Sequence, residues 1–256
     1  MPIDFPAART AIVTGVGAPR GIGRVVARRL ASEGWSLALL DINGSEIDRF
    51  RDELLAEGVQ DAVAIRTDVT SAESVDAAFA IIDEQLPPVV GLVNLAGIPC
   101  PTPLLDISLE EWNRVLAVNV TGSFLMLRAA ALRMVSTGVG RIVNTSSITA
   151  LDGGGTFSKG AYAAAKAAVL GLSRGGAREL GRYGITVNTL VPGPIDTDIM
   201  GGTLTEERKA GMAADIPLGR VGRPEDIAAV VSFLLSEAAG YVTGTSVQVD
   251  GGKHMH

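Results

Sequence analysis

Tyr162 and Lys166 stand four residues apart in the run Ala161-Tyr162-Ala163-Ala164-Ala165-Lys166. Alanine favours helix, and in a helix this spacing puts both side chains on one face, one above the other. An ammonium beside a phenol stabilises the phenolate and draws its pKa from about 10 toward the range a proton-transfer catalyst needs. An amphipathic helix with an incidental tyrosine and lysine would give the same pattern. Shortly before this helix, the run Arg141-Ile142-Val143-Asn144-Thr145-Ser146-Ser147 reads as a strand that ends in hydroxyls.

A second cluster lies near the N-terminus, where an apolar run leads into Thr14-Gly15-Val16-Gly17-Ala18-Pro19-Arg20-Gly21-Ile22-Gly23. Glycines let backbone approach a pyrophosphate, and the following helix offers unpaired N–H groups at its positive end. Gly15 and Gly17 fit the G-x-G-x-x-G spacing; the third position falls on Arg20, with Gly21 one place later. The next apolar run ends Leu39-Leu40-Asp41-Ile42. A carboxylate there accepts hydrogen bonds from ribose hydroxyls and repels a 2′-phosphate, which favours NAD and makes NADP less expected. Arg20 argues the other way, because a loop arginine can pair with that phosphate. Ile42 supplies no second positive charge, so Asp41 carries more weight.

Composition narrows the remaining chemistry. The chain has 256 residues with a formal net charge of −6, and 47% of it is apolar against 20% charged, a balance that suits a globular core and not disorder. No run of basic residues alternates with aromatics, so nucleic-acid binding is not expected. Cys100 is the one cysteine, and His254 and His256 are the only histidines. That set cannot close a zinc site, excludes an intrachain disulfide, and leaves no histidine base within the body of the chain. Residues 1–9 lack a secretory pattern and no apolar run is expected to span a membrane, so the expected location is cytoplasmic. Residues 253–256 read as a native tail or a tag-like remnant and are given no role.

The elements that must position these residues follow from the patterning. Short apolar runs at 11–14, 37–41, 62–66, 89–94, 141–145, 186–191 and 246–249 read as strands buried on both faces. Helical periods at 21–33, 45–57, 72–85, 110–135, 161–183 and 224–236 alternate with them. The expectation is an α/β chain forming a single doubly wound Rossmann domain over residues 1–256, with a seven-stranded, mostly parallel sheet and helices on both faces. Residues 190–222 break the rhythm, are rich in Gly, Pro and Thr, and include a helix-like stretch at 205–213; a connection this long suits a lid over a site, or a plain surface excursion.

With the strand-end hydroxyls, the Tyr–Lys pair and the glycine loop in place, the chain resembles the short-chain dehydrogenase/reductase family over almost its whole length. The matching residues, in order, are the loop at 14–23, Asp68-Val69, Asn94-Leu95-Ala96-Gly97, Val118-Asn119-Val120, Ser146-Ser147, Tyr162-x-x-x-Lys166, Val191-Pro192-Gly193-Pro194-Ile195 and Val249-Asp250-Gly251-Gly252. The resemblance implies that Tyr162 is the general acid in reduction and the general base in oxidation. It implies that Lys166 holds the nicotinamide ribose and lowers the phenol pKa, that Ser147 hydrogen-bonds the carbonyl oxygen, and that Asn119 positions a water behind the lysine. The same resemblance assigns dinucleotide contacts to Gly15, Gly17, Arg20, Gly21, Ile22, Gly23 and Asp41. Adenine contacts fall to Asp68 and Val69, the cofactor-side wall to Asn94, Ala96 and Gly97, and the carboxamide segment to Pro192, Gly193, Ile195 and Thr197.

Two features depart from that pattern. The glycine loop carries an extra residue before Gly21. Ser147 precedes Tyr162 by fifteen residues where the family usually has thirteen, which places a two-residue expansion within 151–159 and leaves Thr149, at the usual spacing, as a minor alternative. Residues 98–102, 153–157 and 195–204 are expected to face substrate. They are mostly small or apolar, with Lys159 and Arg223 as the nearest cations, and Cys100 either lines the pocket or is inert packing. These features suggest a small secondary alcohol or ketone. An NADPH-dependent 3-oxoacyl-thioester reductase is the alternative, and a catalytically silent dinucleotide-binding scaffold a third. Apolar surfaces on the 110–135 and 161–183 helices, with the family's habit, suggest a homotetramer.

Overall fold

The computed structural model describes residues 5–155, 157–200 and 202–255, with nothing described of the Met200 side chain. Seven strands form: β1 (Thr10–Thr14), β2 (Ser36–Asp41), β3 (Ala62–Arg66), β4 (Val89–Asn94), β5 (Gly140–Thr145), β6 (Ile185–Pro192) and β7 (Ser246–Val249). Their spatial order is β3-β2-β1-β4-β5-β6-β7, and every pairing is parallel, a stricter arrangement than the mostly parallel sheet expected. Alternate residues of each strand enter opposite layers, as the pleat requires. Val13, Leu37 and Leu39 pack with Val26, Leu30 and Phe50 on one face, while Ile12, Ala38 and Leu40 pack with Phe79, Ile82 and Met126 on the other. Both faces are therefore covered by helices, which is why the strands read as continuous apolar runs.

The helices are α1 (Ile22–Ser32), α2 (Gly44–Ala56), α3 (Ala72–Gln85), α4 (Leu109–Leu116), α5 (Gly122–Thr137), α6 (Thr149–Asp152), α7 (Gly160–Leu180), α8 (Glu206–Ala213) and α9 (Pro224–Leu235). Their starts are chemically marked: the Ser71, Ser108 and Thr205 hydroxyls accept from the N–H groups of Ser74, Glu111 and Arg208. The helix expected over 110–135 is interrupted, because Ala117–Thr121 forms a π-helical turn between α4 and α5. By length and composition the continuous stretch Leu109–Thr137 could cross a membrane, contrary to the sequence expectation; half of its apolar window is buried against the rest of the protein, as in a core helix.

The sheet order reverses between β1 and β4, whose successors lead away to opposite edges. That reversal opens a crevice at the carboxyl ends of the strands. The segment after β6 folds back over it. A parallel bridge between Ile195 and Gly222 pins the base of this segment, and α8 lies within it.

Candidate active site

A cavity of about 1030 Å³ occupies the crevice. At one end the glycine loop shapes its wall. Thr14 Oγ1 accepts from the N–H groups of Leu95 and Ala96, both at 3.0 Å, and draws β1 and the β4 exit together. Gly15 follows with φ +75°, and a Cβ there would stand 2.9 Å from Ala96 N, so only glycine fits. A Cβ on Gly23 would approach the Gly15 carbonyl oxygen to 2.5 Å, which lets α1 begin directly behind the loop. Asp41 closes this end: Oδ2 accepts from Gly17 N at 2.8 Å and Oδ1 from Asn43 N at 3.0 Å. Asp68 and Val69 line the same region. Thr70 donates to Asp68 Oδ1 from its hydroxyl and its N–H, which holds the carboxyl below the usual carboxylate range.

At the other end stand Ser147, Tyr162 and Lys166, all lining the cavity. β5 delivers the serine and α7 the tyrosine and lysine; Ser146 Oγ donates to the Lys166 carbonyl at 2.7 Å and so ties strand end to helix. Ser147 hydrogen-bonds Tyr162. Lys166 Nζ donates to Thr145 O at 2.9 Å and lies 5.5 Å from the centre of the Tyr162 ring. The π turn brings Asn119 inward. Its Nδ2 donates to Ile98 O and Val115 O, both at 3.0 Å, while its buried Oδ1 has no partner among the described residues. A Cβ on Gly97 would fall 2.6 Å from that Oδ1 and 3.3 Å from Lys166 Nζ, so both atoms face the space the glycine leaves open.

The electrostatics differ from the sequence expectation. Burial pushes the Tyr162 phenol up to about 12, opposed only by the Ser147 hydrogen bond, and burial brings the Lys166 ammonium down to about 8. Burial is the dominant influence on both groups, and Lys166 Nζ donates to Thr145 O beside the phenol.

A family model described as enoyl-(acyl carrier protein) reductase matches residues 15–254. The chain is a short-chain dehydrogenase/reductase. Among curated relatives, it is 42% identical to mouse (3R)-3-hydroxyacyl-CoA dehydrogenase over 259 residues, covering 96% of each chain. Among solved structures it is similar to a short-chain type dehydrogenase/reductase from Mycobacterium marinum, with TM-score 0.90, 33% identity and coverage of 100% and 98%. It is also similar to a 3-oxoacyl-[acyl-carrier protein] reductase with bound NAD from Brucella melitensis, with TM-score 0.87, 33% identity and coverage of 97% and 92%. As a member of this family, the protein is an oxidoreductase acting on CH–OH groups with a nicotinamide dinucleotide.

The residues present fit such a dinucleotide. Gly15, Gly21 and Gly23 line the cavity with backbone at the start of α1, which suits a pyrophosphate, and the buried Asn119 Oδ1, without a partner among the described residues, marks a polar spot beside Lys166. Gly21, Ile22, Ala96, Gly97, Pro192, Gly193, Ile195 and Thr197 of this dehydrogenase line the cavity as expected. Four assigned residues stand off it, the fully buried Asn119 among them. Gly17 supports Asp41 from behind. Asn94 is buried and donates to Asn144 Oδ1 at 2.8 Å, within a polar ladder that continues to Ser173. Arg20 turns from the Asp41 end to pair with Asp196 at 3.1 Å and to donate to Thr203, joining the glycine loop to the covering segment.

Several other contributors carry no signal in the sequence. Arg24, one turn into α1, is buried and donates to the carbonyls of Val16 (3.1 Å) and Gly17 (3.4 Å), bracing the loop from within. Lys253, assigned no role from sequence, lines the cavity. The charged residues Arg114, Asp152, Asp198 and Asp215 line it too, within a lining that is otherwise mostly small or apolar, as expected for the substrate-facing segments. Lys159 and Arg223 do not line it; Arg223 instead caps α9, its N–H donating to Asp226. Cys100 is fully buried among Val115, Ala161 and Ala165, the packing reading. Thr156 and Gly201, within segments expected to face substrate, and His256 lie outside the described residues.

Proposed function

We propose that the protein interconverts a small secondary alcohol and its ketone using NAD(H), with Tyr162, Lys166, Ser147 and Asn119 as its proton-handling set. The observation that carries this reading is the convergence of Ser147, Tyr162 and Lys166 on one end of a cavity whose other end is formed by Gly15 and Asp41. When bound, the dinucleotide accepts or donates a hydride at carbon and, when oxidised, places a positive ring nearby. Tyr162 takes the hydroxyl proton in oxidation and returns it to the ketone oxygen in reduction. Ser147 donates a hydrogen bond to that oxygen and steadies its developing charge. Lys166 would hold the ribose hydroxyls and, with the nearby Asn119 Oδ1, a water through which a proton could pass to solvent.

Asp41 supports NAD over NADP, since its carboxylate lines the cavity and Arg20 is engaged elsewhere. Titrating NADH and NADPH against intrinsic fluorescence tests this: tighter binding of NADPH overturns the Asp41 argument. A second reading, a 3-hydroxyacyl or 3-oxoacyl thioester as substrate, is favoured by the names of the mouse and Brucella melitensis relatives. Nicotinamide absorbance with a panel of secondary alcohols, sugars and 3-oxoacyl thioesters separates the two by kcat/KM. A cytoplasmic homotetramer is part of the proposal, supported by half-exposed or exposed Phe124, Leu132 and Val135 on α5; light scattering that returns a monomer mass removes it.

A further inference from the structure

The segment between Ser147 and Tyr162 contributes two hydroxyls of its own. Thr149 Oγ1, at the start of α6, accepts from Ser147 Oγ at 3.1 Å and lies 3.0 Å from Ser158 Oγ, where either atom can donate, so three hydroxyls form a row that ends at Tyr162. The Thr149 N–H also donates to Ser147 Oγ at 3.2 Å. We propose that Thr149 and Ser158 are positioning residues that set which way the Ser147 proton points beside the reacting oxygen, an inference that rests on the hydrogen-bonding role assigned to Ser147 above.

Donor and acceptor supply sets the direction of the row. A serine hydroxyl has one proton and two lone pairs. Ser147 has two places to send its proton: Thr149 Oγ1, or Tyr162 and the substrate oxygen beside it. The choice depends on Thr149. If Thr149 donates to Ser158, it must accept from Ser147, and the serine proton is withdrawn from the cavity. If Thr149 donates to Ser147, the serine lone pairs are filled by the Thr149 N–H and hydroxyl, and its own proton points to Tyr162. In this structure Ser147 donates to Thr149, and the Thr149–Ser158 contact can run either way, so the row passes from the first arrangement to the second when Ser158 becomes the donor to Thr149 Oγ1. Hydrogen bonds aligned in one direction also reinforce one another.

Ser158 is held in place by the loop that carries it. Its carbonyl accepts from Gly155 N at 2.8 Å. Gly154 has φ +101°, and a Cβ there would approach Ser158 O to 2.2 Å and Thr149 Cγ2 to 3.0 Å, so glycine is required for the hydroxyl row to close.

The test compares Ser147→Ala, Thr149→Val, Thr149→Ser and Ser158→Ala by steady-state kinetics across pH, with dinucleotide binding followed by fluorescence as the check on folding. Thr149→Val keeps the shape and removes the hydroxyl; it should lower kcat by roughly tenfold or more and move the alkaline limb of the rate profile, with dinucleotide affinity unchanged. Thr149→Ser should restore kcat to within about threefold of the parent, Ser158→Ala should show a smaller loss than Thr149→Val, and Thr149→Val should add nothing in a Ser147→Ala background. The positioning role is overturned if Ser147→Ala is impaired while Thr149→Val and Ser158→Ala keep the parent kcat and pH profile. It is equally overturned if Thr149→Ser is as damaged as Thr149→Val, which would mean packing. Full turnover in Ser147→Ala instead removes the underlying reading, and the inference with it.

Discussion

At the β1–β2 end of the crevice the polar groups are already paired within the protein: both Asp41 oxygens accept backbone N–H groups, Thr14 bonds two amides of the β4 exit, and Arg24 holds two loop carbonyls. At the β5–α7 end the protein buries groups it does not satisfy or ionise comfortably, among them Asn119 Oδ1, the Tyr162 phenol and the Lys166 amine. The first end is a rigid backbone mould set by glycines. The second is a set of side chains held at raised free energy, which a substrate and dinucleotide can relieve. Recognition and chemistry therefore place opposite demands on the same cavity.

Three experiments bear on that contrast. The largest expected effect is Tyr162→Phe, which should lower kcat by about 10³-fold or more while dinucleotide affinity stays near the parent value. Retained turnover would show that the buried phenol is packing. Next, Gly15→Val should weaken dinucleotide binding by at least roughly tenfold, because a side chain at φ +75° collides with the Ala96 amide and carries strain of about 1–3 kcal/mol. Unchanged binding by calorimetry would mean the mould yields as readily as the catalytic end.

The smallest effect concerns pH. Lys166 is held near 8, below its usual 10.5, so between those values the unfolded chain binds a proton that the folded chain does not. Its contribution therefore makes the fold more stable as pH rises through 8 to 10.5. Tyr162, held near 12 instead of 10, contributes the reverse trend between 10 and 12. Lys166→Met should flatten the rise in denaturant midpoint between pH 8 and pH 10. The same slope in both proteins would show that the amine titrates normally.

Much of the mould was legible in the sequence and less of the catalytic end was. The β3, β4 and β7 limits follow the apolar runs residue for residue, although only β4 is buried along its whole length and β3 and β7 are partly exposed edge strands. Ser147, Tyr162 and Lys166 could be placed because helix spacing and strand-end position fix where their backbones lie. The π turn at Ala117–Thr121 was not foreseen: Val118, Asn119, Val120 and Thr121 are weak helix-formers, but an apolar helical period carries no mark of one extra residue in a turn. Arg24 was missed for a related reason, since an arginine on an amphipathic helix reads as solvated until its carbonyl partners are seen. The direction of the Tyr162 shift depends on burial, which spacing alone does not report.

The reversal of strand order between β1 and β4 also governs how stability and occupancy are linked. The crevice is a seam whose two sides come from sequence regions that meet only when the β1–β4 pairing is complete. A ligand spanning the seam acts as a clasp between the first three strands and the last four, so its binding free energy adds to the resistance of the whole chain to unfolding and not of one half. Fragments ending before β4 would lack one lip of the seam, and any affinity they kept for a dinucleotide would belong to a different site.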